Sequence, residues 1–251
     1  MDSAPANKIH KTIKLLPDID WVEIPGGEFI FGEDKQQQRL TLERFYIARY
    51  PITNAQYLTF IEDGGYEDES WWFDIERLSP EIPHWNKPNR PRETVSWYEA
   101  VAFCRWLSQR VGYEIRLPTE QEWEKAARGT DGREYPWGDG YQGKYANVNE
   151  TEAKVRPSYL EQTTAVGLYP QGASPYGVMD MAGNVWEWCL NKYDNPEDTA
   201  IDKTEEIRVL RGGAWMASPE GARAAFRFGD RSANRGYLRG FRIVCPSPNL
   251  R

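Results

Sequence analysis

Cysteine and histidine are scarce: three cysteines and two histidines in 251 residues. Cys104, Cys189 and Cys245 are widely and unevenly spaced, which fits neither a zinc-ligand pattern nor a disulfide framework, so they are expected to be reduced packing residues. His10 and His84 have no neighbouring imidazole, so a transition-metal centre built by this chain alone would lack its usual ligands. No apolar run approaches the length of a membrane span, and the first twenty residues lack the hydrophobic stretch of a secretory signal. A cytoplasmic protein with no membrane partner is therefore expected. Basic charge is also in deficit, with a net charge of −7 and a pI near 5.1. That balance provides no general attraction for nucleic acid and points to proteins, peptides or small molecules as partners.

Aromatic residues, in contrast, are plentiful: 11 Trp, 14 Tyr and 9 Phe, with 21 Gly and 17 Pro spread along the chain and not gathered into a linker. The pattern predicts one compact, loop-heavy domain over residues 19–251, preceded by a polar leader or linker remnant at 1–18. WVEIPGGEFIFG, with apolar residues on both sides of a Pro-Gly-Gly turn, reads as a hairpin starting at Trp21. A further strand is expected across Leu42 to Arg49. Three helices are marked by their ends. The first is capped by Thr53 or Asn54, buries Tyr57, Phe60 and Ile61, and ends at Gly64. The second has a Ser96/Glu99 capping box followed by Trp97, Ala100, Val101, Cys104 and Leu107 at helical spacing. The third has a Thr119/Glu122 capping box, with Trp123, Ala126 and Ala127 inward and a stop at Gly129. Between Thr130 and Glu206 turn-formers and aromatics dominate, which predicts long ordered loops held by side-chain hydrogen bonds or an ion.

Two segments carry the candidate chemistry. In DMAGNVWEW, Asp180 and Glu187 flank a Gly-Asn turn. Hard cations want several oxygens, and two carboxylates with exposed carbonyls can supply them, although an acid beside such a turn also serves as a cap or brace. The second segment is RVLRGGAWMASPEGARAAFRFGDRSANRGYLRGFRIV, residues 208–244. Its regular positions are Arg211, Gly212, Gly213, Trp215, Arg223, Ala225, Arg227, Arg231, Arg235, Gly240, Phe241 and Arg242, and the guanidinium groups are expected to bind loop carbonyls and carboxylates inside the fold. Between them stand Met216, Ala217, Glu220, Gly221, Phe226, Phe228, Gly229, Asp230, Asn234, Tyr237 and Leu238, which follow no strand or helix period. Burying an unpaired Glu or Asp costs several kcal/mol, so this mixture is expected at the surface. Aromatics and Met supply binding energy at recognition sites. With Ala214, these residues other than Gly229 form the predicted ligand-binding set.

IPGGEFIFG, RYPITNAQY, VSWYEAVAFCRWL, RLPTEQEWEKAARG, YPWGD, YGVMDMAGNVWEW, VLRGGAW and GFR, in that order from about Trp21 to Val244, resemble the formylglycine-generating enzyme (sulfatase-modifying factor) family. The resemblance implies an α+β, formylglycine-generating-enzyme-type C-type lectin fold with little regular secondary structure. It also implies a copper-binding cysteine pair after the RGG motif, at the positions of Ala217 and Ala222. A methyl group can neither ligate copper nor act as a thiolate. Another branch, the sulfoxide synthases of thiol-histidine biosynthesis, pairs this domain with a helical domain carrying an iron-binding His cluster, which this chain lacks. The family's calcium loop implies ligation by the side chains of Asp180 and Glu187 and the backbone oxygens of Gly183 and Val185. A second family calcium site would begin at Asn147 and Val148, but its acidic ligand falls near Ser158. The segment between the arginines is also similar to that of the variable proteins of diversity-generating retroelements, which diversify this stretch on the same fold.

These observations predict a non-catalytic binding protein for a protein, peptide or glycan, with structural calcium and neither copper nor iron. An oxidoreductase or modifying enzyme of another branch, assembled with a partner domain, remains an alternative. A sensor or effector domain cut from a larger protein is a third.

Overall fold

The computed structural model describes residues 16–151 and 159–248. Its strands form three small sheets. β1 (Trp21–Ile24) and β9 (Val244–Cys245) flank β4 (Phe45–Ala48), β2 (Gly27–Phe31) pairs with β3 (Gln38–Leu42), and the third sheet has the order β7-β6-β5-β8. In it β5 is Trp186–Lys192, β6 Ile207–Arg211, β7 Phe228–Arg231 and β8 Arg239–Gly240. With α1 (Asn54–Glu62), α2 (Trp97–Val111) and α3 (Glu120–Arg128), the architecture is α+β with few helices, as the family resemblance implies, and has the long ordered connections that the composition predicts.

Helix ends obey local chemistry. Thr53, Ser96 and Thr119 are the N-caps of α1, α2 and α3, and each forms a reciprocal capping box, with Gln56, Glu99 and Glu122 respectively. Gly112, in the left-handed conformation at φ 78°, closes α2. The apolar faces go inward as their spacing dictates: Tyr57 and Phe60 of α1, Trp97, Ala100, Val101, Cys104 and Leu107 of α2, and Trp123, Ala126 and Ala127 of α3 are buried. Ile61 is half-buried against the main core. All three cysteines are free and buried, and burial pushes the Cys104 and Cys189 thiols up.

The hairpin expected at Trp21 does not form. β1 pairs antiparallel with β4, Trp21 opposite Ala48, while β2 pairs with β3, Gly27 opposite Leu42. Gly27 at φ 123° turns the chain away from β1, and each strand finds a partner beyond the Pro-Gly-Gly turn. The C-terminal segment also holds more strand than expected, since β7 lies at the edge of the third sheet with Phe228 opposite Leu210.

The arginines of the C-terminal segment tie these sheets to the helices. Arg211 is fully buried and donates to Glu124 and to the carbonyls of Ala224 (2.9 Å) and Ala225 (3.1 Å). Glu124 also accepts from Arg128 at 2.9 Å, and Glu120 receives a two-pronged bond from Arg227 at 2.7 and 3.0 Å. Arg235 reaches Glu99 at 2.6 Å, and Arg208 lies 4.0 Å over the ring of Trp97. A planar fork satisfies several carbonyl and carboxylate acceptors at once, which suits a fold with little ladder hydrogen bonding.

Candidate functional site

After β6 the chain passes Gly212 and Gly213, both at positive φ, and enters the stretch that the sequence marks as a binding set. A side chain at Gly213 would meet the Cα of Ala222 at 3.1 Å, so the turn draws residues 213–222 into a tight knot. That packing divides the predicted set. Ala214 is fully buried in the main core and Gly221 is buried in a 3₁₀ turn over Pro219–Ala222, so neither is at the surface as expected. Ala217, Phe226, Asp230 and Leu238 are half-buried, and Glu220 and Asn234 are exposed. Asp230 avoids the cost of an unpaired charge by facing Arg239 and accepting from Asn234 at 2.5 Å.

Met216, Phe228 and Tyr237 are the large exposed members, at 40, 40 and 43%. Two ring clusters hold Phe228 and Tyr237. Phe228 stacks on Trp186 with centroids 5.1 Å apart, and Phe226 lies 6.0 Å from the same indole. Tyr237 stacks on Trp215 at 5.9 Å, Tyr159 stacks on it at 5.8 Å, and Trp85 meets it edge-on at 5.3 Å. His84, exposed, lies 5.8 Å from Tyr237. The clusters adjoin through one short connection: Leu238, next to Tyr237, accepts at its carbonyl from the Trp186 amide at 2.7 Å. His84, Trp85, Tyr159 and Trp186 thus complete a face that the C-terminal segment alone does not define. Trp186 stands in DMAGNVWEW beside the candidate cation ligands, whereas nothing in the spacing of the other three signals their arrival.

The cation loop is one of tight backbone geometry. Asp180 and Asn184 adopt positive φ of 56° and 69°, Gly183 bridges to Asn147, and the Gly183 amide donates to the Gly212 carbonyl at 2.7 Å. Burial pushes the Asp180 carboxyl up to about 6, although its Oδ2 accepts from the Gly167 amide at 2.6 Å. Both oxygens of Glu187 are engaged, Oε1 by Arg242 at 2.7 Å and Oε2 by Arg242 at 2.5 Å and Trp123 at 2.6 Å. The donor set therefore fits a hard cation in part. The Asp180 carboxylate suits it, while the Gly183 carbonyl already accepts from the Val185 amide at 3.0 Å and Glu187 already has a guanidinium counter-charge. Of the second candidate site, Asn147 and Val148 are buried, and Ser158 lies outside the described residues.

The chain matches the sulfatase-modifying factor enzyme 1-like domain over residues 9–246. It belongs to that family. Similar curated proteins include the "inactive C-alpha-formylglycine-generating enzyme 2" of Mus musculus, 30% identical over 275 residues, covering 89% of this chain and 84% of that one. The "hercynine oxygenase" of Mycolicibacterium smegmatis is 30% identical over 277 residues, covering 89% of this chain, which spans only 60% of that relative's length. Among solved structures, Treponema denticola variable protein 1 superposes with a TM-score of 0.68 at 22% identity, covering 90% of this chain and 95% of that one. PvdO from Pseudomonas aeruginosa does so with 0.70 at 22% identity, covering 90% and 94%. The two likenesses establish the fold. Among the described residues, no helix is long and apolar enough to cross a membrane, and no group of three or more His, Cys, Asp or Glu is placed to hold a metal.

Proposed function

We propose that this member of the family is a non-catalytic binding protein that displays a face built on Met216, Phe226, Phe228 and Tyr237 to a protein, peptide or glycan in the cytoplasm. The observation that carries this reading is the convergence of Phe226, Phe228 and Tyr237 around Trp186 and Trp215, with Met216 exposed beside Trp215 in the chain, on a segment with Ala217 and Ala222 at the copper-cysteine positions. Exposed rings backed by buried ones give large contact area at little cost in rotamer entropy, the usual composition of a binding hot spot. The half-buried and exposed positions between the arginines can vary without disturbing the buried ion pairs. That separation supports a diversified segment as in retroelement variable proteins. Calcium belongs to this proposal as a structural ion, held by Asp180 with the carbonyls of Gly183 and Val185, and by Glu187 to the extent that it shares its carboxylate with Arg242.

Peptide and glycan arrays probed with the wild-type protein and with a Phe228→Ser/Tyr237→Ser variant test the face. Ligands selected by the first and lost by the second are expected. Binding that ignores both substitutions would refute the assignment. A near-copy of the segment's DNA that differs mainly at adenines, beside a reverse transcriptase gene, is expected if the segment is diversified. The second reading, an oxidoreductase completed by another domain, is favoured by the hercynine oxygenase relative, and stoichiometric copper or iron in the purified protein would select it.

A further inference from the structure

α1 and the proline-rich segment 80–92, which also contributes His84 and Trp85 to the aromatic face, enclose a separate cavity of about 570 Å³, within the range of small-molecule sites. Its walls are apolar: Leu58 and Ile61 from the helix, and Pro80, Ile82 and Pro83 from the segment. Leu58 is 48% and Ile82 83% exposed, so apolar surface is left open to water at the rim. The lining also includes Arg92, which is only 2% exposed.

Arg92 differs from the other deeply buried arginines. Arg128, Arg208, Arg211 and Arg242 each face a carboxylate. Arg92 donates one bond, to the Glu81 carbonyl at 2.6 Å, and lies 4.7 Å over the Tyr57 ring. Among the described residues no carboxylate lies within ion-pair distance of it, and its Nε has no hydrogen-bond partner. The Glu81 carboxylate, the acid of the cavity lining, is engaged by Arg235 at 2.7 Å. A buried cation without a counter-charge is costly, and an anionic oxygen entering the cavity would remove that cost.

We propose that this cavity binds a small amphiphile whose apolar chain packs against Leu58, Ile82 and the prolines and whose carboxylate pairs with Arg92. The charge selects the head group and the walls select the tail. A fatty carboxylate of medium length meets both demands.

Calorimetric titration of the full chain with dodecanoate, dodecanol and dodecyltrimethylammonium, each below its micellar concentration, tests this. One saturable site is expected for dodecanoate, at least tenfold tighter than for the other two. Arg92→Met should weaken dodecanoate at least tenfold while leaving dodecanol unchanged. Because Arg92 is buried and its loss could disturb folding, Ile82→Asp provides a second variant at an exposed wall position, also expected to weaken dodecanoate at least tenfold. Leu168→Asp, an exposed apolar residue elsewhere, should change nothing. No binding, equal affinity for the three amphiphiles, or dodecanoate affinity untouched by Ile82→Asp would overturn the proposal and leave the aromatic face unaffected.

Discussion

Replacing Phe228 by Ser is the sharpest test of whether the aromatic face is surface or core. Removing a phenylalanine side chain fully from water contributes about 1.5–3 kcal/mol. Phe228 retains 40% exposure, so its share is about 1–2 kcal/mol. Its stack on Trp186 at 5.1 Å adds about 0.5–1.5 kcal/mol. The expected loss is thus about 2 kcal/mol, a drop in Tm of roughly 4–8 °C for a domain of this size. Phe226, half-buried and packed against the main core, should cost more, about 3 kcal/mol or above as Phe226→Ser. Thermal unfolding followed by near-UV circular dichroism, which reports the packed rings, measures both in one series. A folded Phe228→Ser with lost ligand selection fits a binding face. A loss equal to or greater than that of Phe226→Ser would mean that Phe228 is structural, and the face would shrink to Met216 and Tyr237.

Three further outcomes are expected. Arg211→Met should cost about 2–4 kcal/mol in urea unfolding, because it removes one of the two guanidinium partners of the fully buried Glu124 and the donors to the Ala224 and Ala225 carbonyls; a loss below 1 kcal/mol would deny that this arginine secures α3 to the third sheet. If the loop binds calcium, a chelator should lower the wild-type Tm, and Asp180→Ala should abolish that shift; an identical chelator response in the variant would remove the ion from Asp180. Lys192, bonded to Asp198 at 2.8 Å and Asp202 at 3.0 Å and also paired with Glu206, holds the Asp198 and Glu206 carboxyls below their ordinary range, while Asp202 is lowered against its partial burial by the Thr204 hydroxyl first and Lys192 second. Groups with depressed folded values contribute stability that is present above the ordinary carboxylate range and lost as pH falls through the folded values. Lys192→Met should therefore move the acid-unfolding midpoint to higher pH, and an unmoved midpoint would show that the cluster contributes nothing.

What the sequence disclosed follows the range of the interactions involved. The capping boxes at Ser96/Glu99 and Thr119/Glu122 are closed within four residues, so each was legible in its own text. The partner of β1 was not, because β4 begins some twenty residues later and the Pro-Gly-Gly turn gives no sign that the strands on either side part company. The same distance effect governs the site. Met216, Phe228 and Tyr237 could be recognised as large surface residues from their lack of period, but the burial of Ala214 and Gly221 depends on how the Gly212-Gly213 turn folds onto Ala222. Trp85 and Tyr159 join the face from loops that carry no periodic signal at all.

The arginines explain how one segment can hold a fold and also tolerate variation. Arg208, Arg211 and Arg242 are fully buried, and their acceptors are carboxylates and backbone carbonyls; the only ones contributed by the residues that separate them are the main-chain carbonyls of Ala224 and Ala225, which a side-chain substitution leaves in place. A substitution at Met216, Glu220, Phe228 or Asn234 therefore removes no acceptor from this network. Met216, Phe228 and Tyr237 can in principle be exchanged at the modest cost of half-exposed side chains, whereas Arg211 or Arg242 cannot. Such a division is what a scaffold for changing specificity requires. It makes a graded prediction: an alanine scan across residues 208–242, extended by Ala214→Leu, should show large stability losses at the buried arginines and at Ala214, with small ones at the exposed positions between them. A flat profile would mean that the segment is an ordinary part of the core, and the argument for a displayed face would fail with it.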